Sequence, residues 1–197
     1  GATYITGQDN ANPFVINAPA SGDIVIGANG AGSGFTMSGG VTLNGNLTLQ
    51  TFENVISATT KASAIITGGV TGTGNLLLNN LGARDNVITI SGTSVNHSGS
   101  ITLSGTAATG NTTISAPIGS NVTGITQSST TSRLVLSGSN TYASNLTINA
   151  GTVRISNNSN TANDVSTVTI ASGGNLDLNY SGTDTVKKLV INGVEQP

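Results

Sequence analysis

Side chains able to do chemistry are sparse here: one histidine, eight carboxylates, six basic groups and no cysteine among 197 residues. His97 lies in Ser-Val-Asn-His-Ser-Gly-Ser (94–100), a turn-like stretch. An imidazole that acts as a general base needs a nucleophile within hydrogen-bond reach and an acid to orient it. The surrounding sequence supplies neither, so His97 is expected on a surface loop. Asp9, Asp23, Glu53, Asp85, Asp164, Asp177, Asp184 and Glu195 occur singly, whereas glycoside hydrolysis needs two carboxyl groups converging on one bond. Calcium-binding loops of closely spaced Asp and Gly are missing as well. Asp177 and Asn179 could chelate only weakly, and a solvated strand end explains them better. These residues predict no catalytic site, no metal site and no cofactor.

The elements that must position them are short strands. Between Thr131 and Leu178 the pairs Leu134/Leu136, Leu146/Ile148, Val153/Ile155, Val168/Ile170 and Leu176/Leu178 are apolar at i and i+2, the signature of a strand with one buried face. Leu146 to Val168 is 22 residues and Val153 to Leu176 is 23, so two strands return together at nearly one interval. An antiparallel sandwich does not require that return, and a parallel β-helix does. The prediction is all-β: a right-handed parallel β-helix of roughly nine coils, with two main strands per coil. These apolar pairs should point inward, and Val135, Thr147, Arg154, Thr169 and Asp177 outward. Arg154 and Asp177 would then be neighbours in the stacking direction, a register pair about 5 Å apart.

Composition agrees. Thr, Ser, Asn and Gly make up more than half of the chain, which is strand and turn material with little helix preference. Six Lys and Arg with a net charge of -2 cannot provide the clustered cations that displace counterions from a nucleic acid. No apolar run approaches a membrane span of about 18 residues. Gly1 in place of a Met fits a mature chain whose signal was removed. Residues 1–20, with Pro13 and Pro19, read as an N-terminal edge or lead-in segment, and 21–197 as a single β-solenoid domain. Residues 50–64 break the rhythm and read as a loop. Asn192-Gly193 signals a turn near the last residues.

The run Gly-Ser-Asn-Thr-Tyr (138–142), then Thr-Ile (147–148) and Gly-Thr-Val (151–153), resembles the passenger-associated repeat of bacterial autotransporters, also known as the autotransporter-associated β-strand repeat. Gly138, Asn140, Thr141, Tyr142, Thr147, Ile148, Gly151 and Thr152 match that motif, and Val153 stands where Leu is usual. The segment 186–197 is similar to the closing part of such proteins. The resemblance implies a secreted β-helix, extracellular or on a bacterial cell surface, that serves as scaffold, stalk or adhesin. The amphipathic strands and aromatic girdles of a membrane barrel are absent from this stretch.

The leading expectation is a non-enzymatic structural protein of the bacterial surface or extracellular matrix. A glycan- or ligand-binding adhesin passenger fragment is the alternative, and a glycan-active enzyme comes third. An ice-binding face would need Thr-x-Thr at every coil, and Thr167/Thr169 and Thr183/Thr185 recur without a coil-length ladder. Open coil ends carry unpaired backbone groups, and near them only Asp9, Lys187, Lys188 and Glu195 offer charge. That predicts a homopolymer formed by end-to-end stacking, with residues 1–20 able to add a strand to a neighbour.

Overall fold

The computed structural model describes residues 3–4, 8–19, 22–30, 34–52, 61–81, 87–107, 110–157 and 164–197. These form a β-solenoid of stacked parallel strands. The described residues contain no helix, hence none long and apolar enough to cross a membrane. Among them, three turns carry three strands each: β1 (Thr3–Tyr4), β2 (Gln8–Asn10) and β3 (Phe14–Asn17); β4 (Ile24–Asn29), β5 (Gly34–Met37) and β6 (Val41–Asn44); β7 (Leu47–Phe52), β8 (Ser63–Ile66) and β9 (Val70–Gly72). Later turns carry two: β10 (Leu76–Asn80) and β11 (Val87–Ile90); β12 (Ser100–Gly105) and β13 (Asn111–Ile114); β14 (Gly124–Gln127) and β15 (Arg133–Leu136); β16 (Asn145–Ile148) and β17 (Gly151–Ile155); β18 (Thr167–Ile170) and β19 (Gly174–Leu178). β20 (Lys188–Ile191) and β21 (Val194–Glu195) close the described chain as an antiparallel hairpin, turning at Asn192 with φ 51°.

Apart from that hairpin, each strand pairs in parallel with its counterpart one turn away. The first sheet runs β1-β4-β7-β10-β12-β14-β16-β18-β20-β21, the second β2-β5-β8-β11-β13-β15-β17-β19, and the third β3-β6-β9. Single bridges Val70 to Val95 and Val95 to Ile118 prolong the third sheet. The alternation pattern does not reveal it as a separate face, because its strands are short and fade into isolated bridges. The turn count also falls below nine, because the period is not constant. Leu47 pairs with Leu76 and Leu76 with Ile101, both longer steps than the later ones from Ile125 to Leu146 and from Leu146 to Val168. Early turns therefore use up more chain than the C-terminal rhythm implies.

Residues 1–20, expected as an N-terminal edge or lead-in segment, contribute β1, β2 and β3, which stack as the outermost turn on all three sheets, with Pro13 just before a strand and Pro19 after it, where no ladder donor is lost. Of the expected loop 50–64, Gln50–Phe52 belong to β7 and Ser63–Ala64 to β8, and 53–60 lie outside the described residues.

The core is a set of apolar columns, since in-register parallel stacking puts like on like. Leu47, Leu76, Ile101, Ile125 and Leu146 follow one another on the first sheet, all within 1% of full burial. Ile66, Ile90, Ile114 and Leu136 do the same on the second. Of the residues expected inward, Leu134, Leu136, Leu146, Ile148, Val153, Ile155 and Val168 are buried, while Ile170 and Leu176 are half-buried. Leu178 is 56% exposed, because no described strand pairs with the far side of β19.

Candidate functional site

The motif residues that carry the family resemblance hold turns together. Asn140 is buried and its Oδ1 accepts the Ile118 N–H at 2.9 Å, so it caps the third face where strand pairing ends. The Thr141 N–H donates to the Ile118 carbonyl at 2.8 Å. A Cβ on Gly138 would run into the Ala116 carbonyl. Gly151, at φ 64°, passes so close to the Ser129 carbonyl that a side chain has no room. Tyr142 and Ile148 are fully buried, and the Thr152 carbonyl accepts from Gln127 Nε2 at 3.3 Å. Thr147 faces outward between Thr126 and Thr169.

Polar ladders extend this pattern. Asn46 Nδ2 donates to Asp23 Oδ1, the Asn75 N–H donates to Asn46 Oδ1, and the Ser100 N–H and Oγ both donate to Asn75 Oδ1, at 2.9–3.2 Å. Inside the coil Thr51 Oγ1 donates to Asn80 Oδ1 at 2.8 Å. Gln127 occupies the core column between Leu103 and Ile148, where its Nε2 donates to the Ser129, Ser132 and Thr152 carbonyls. The bonds of Thr51 and of the Gln127 amide nitrogen offset the burial of these groups, although Gln127 Oε1 is buried without a partner.

His97 is not on a surface loop; it is fully buried. It follows Val95, whose bridges to Val70 and Ile118 pull this stretch onto the third face. Its Nε2 lies 3.3 Å from the Ser100 carbonyl, and Nδ1 has no partner. Burial pushes the imidazole below its ordinary 6.5, and the bond to Ser100 partly opposes this. The folded protein therefore takes up this proton less readily than the unfolded chain. Stability should be full above about pH 6.5 and decline as pH falls through that value, with a limiting slope of about 1.4 kcal/mol per pH unit. It should level off below the folded pKa. Urea midpoints identical at pH 7.5 and 5.5 would contradict a buried neutral His97.

The carboxylates are dispersed. Asp9 accepts from Ser38 Oγ at 2.7 Å, Asp23 belongs to the Asn ladder, Glu195 pairs with Lys188 at 2.6 Å, and Asp164 is exposed. Glu53 and Asp85 lie outside the described residues. Arg154 faces Asp177 in register, with Nε 2.7 Å from Oδ2. Both side chains are about one-third exposed, so the pair contributes well under about 1 kcal/mol; it orders the face more than it stabilises it.

Two outward faces carry repeated polar groups. On the first sheet Thr102, Thr126, Thr147 and Thr169 stand in register on four successive strands. A coil-spaced row of single Thr thus exists, hidden in the sequence because its three steps are unequal, although no Thr-x-Thr repeats from turn to turn along it. It is single-file, one Thr per turn, and gives way to Leu77 and Val190 at its two ends. On the second sheet a cleft of about 390 Å³ is lined by Gly110, Asn111, Thr131, Arg133, Thr152, Asn175 and Asp177. Asn111 pairs with Arg133, and Thr152 with Asn175. Leu134 faces Val153, which sets Arg133 beside Thr152, so one row crosses β13, β15, β17 and β19. No spacing or motif in the sequence signals this cleft. Comparison with protein-family models, curated proteins and solved structures finds no match to the chain.

Proposed function

We propose that the chain is structural: a non-enzymatic section of a secreted bacterial surface or extracellular-matrix protein built on autotransporter-associated β-strand repeats. The observation that carries this reading is the use of the motif. Gly138, Asn140, Tyr142, Ile148 and Gly151 all serve contact between turns, and the Asn and Thr ladders do the same. A sequence selected for such contacts builds a stiff stack, each turn completing the burial of the last.

In this reading the stack joins end to end with further copies. The rim around β19 supports it: Leu178 at 56% exposure stands beside Leu176, Val186 and Leu189 around a cleft of about 180 Å³. An apolar rim next to an unpaired strand edge favours added strands, and a net charge of -2 opposes association little. Sedimentation velocity and negative-stain electron microscopy of the purified chain test this, with concentration-dependent rods expected. A folded monomer at millimolar concentration would overturn the assembly and leave the scaffold reading to a longer protein.

A further inference from the structure

We propose that the cleft on the second sheet binds an acidic saccharide, with Arg133 receiving its carboxylate. This is independent of the structural reading above. Arg133 has no ion-pair partner among the described residues. It stands in one row between Asn111 and Thr152, with Asn175 one strand further and Thr131 at the rim. Among the described residues lining the cleft the only other charge is Asp177, which is neutralised by Arg154 at 2.7 Å. The three charges sum to +1, so the cleft favours an anion.

The chemistry narrows the ligand further. A volume of about 390 Å³ lies within the range of about 300–1,000 Å³ for small-ligand sites, yet the described lining residues form no aromatic or aliphatic wall, which disfavours an apolar ligand. A guanidinium presents a planar fork that suits a carboxylate, and two amides with two hydroxyls suit a ligand rich in hydroxyl groups. One unpaired cation is too few to follow a nucleic-acid backbone. The row advances by one strand spacing, about 4.8 Å per turn, so an extended oligosaccharide lying along the stack can meet one polar side chain per step.

The test is an NMR titration of the full chain with trigalacturonate, alongside neutral maltotriose and inorganic phosphate. Trigalacturonate should give saturable shifts at the amides of Asn111, Arg133, Thr152 and Asn175. The site is open to water, so the dissociation constant is expected on the order of 1 mM, weakening as salt rises. Arg133→Gln should weaken binding at least tenfold and Asn175→Ala several-fold, both with unchanged melting curves. The proposal is overturned if maltotriose or phosphate binds as well as trigalacturonate, if the shifts lie elsewhere, or if both variants bind like the parent.

Discussion

Ile148→Asp should leave the chain unable to fold. Ile148 is fully buried and sits in a column between Gln127 and Ile170, on a strand flanked by turns on both sides. The substitution removes about 2–3 kcal/mol of apolar burial and adds a carboxyl group that must either ionise without a partner or bind a proton at neutral pH. Either route costs several kcal/mol more. Small folded domains have only about 5–15 kcal/mol in total, and a stack fails where a turn fails to bury its neighbours. Ile148→Val, which removes one methylene, should cost about 0.5–1.5 kcal/mol and retain a cooperative melt. Far-UV circular dichroism with thermal melting separates the two. A soluble Asp variant melting within a few degrees of the parent would contradict the inward column.

The second large effect is at Tyr142, the bulkiest fully buried side chain among the described residues. Tyr142→Ala should lose about 3–5 kcal/mol through the cavity it opens. Tyr142→Phe should be neutral or slightly stabilising, because the hydroxyl is buried without a hydrogen-bond partner and its removal deletes an uncompensated polar group. Burial first, and the charge of Asp184 second, push this phenol well above its ordinary value, so it should stay protonated in mild alkali. Chemical denaturation of the three proteins side by side measures both changes. A Phe variant weaker than the parent by about 1 kcal/mol or more, the net worth of a typical hydrogen bond, would reveal a partner for that hydroxyl.

These residues also show how far the sequence can be read. The i, i+2 alternation places most strands of the first and second sheets, because parallel strands in a coil keep one apolar face turned inward. Arg154 and Asp177 are legible because their separation equals that of their neighbours Val153 and Leu176, one local period. The third face is not, since Val70–Gly72 is too short for alternation to register and Val95 and Ile118 are lone bridges. The misplacing of His97 has the same origin. The Thr row and the Arg133 cleft depend on turns of unequal length: the step from Leu134 to Val153 is shorter than the next one, from Val153 to Leu176. A fixed repeat cannot align them. Only the hydrogen-bonded register can.

The fading of the third sheet after Ile118 gives the molecule a mechanical grain. Where three hydrogen-bonded walls meet, a beam resists flexing in every direction, as a closed triangular tube does. Where two walls remain and the third side is joined by bends, it resists flexing within the plane of those walls and yields across it. Thermal bending and any pull transmitted along the stack should therefore concentrate in the half after Ile118, so that a rod of such units would behave as stiff segments alternating with compliant ones.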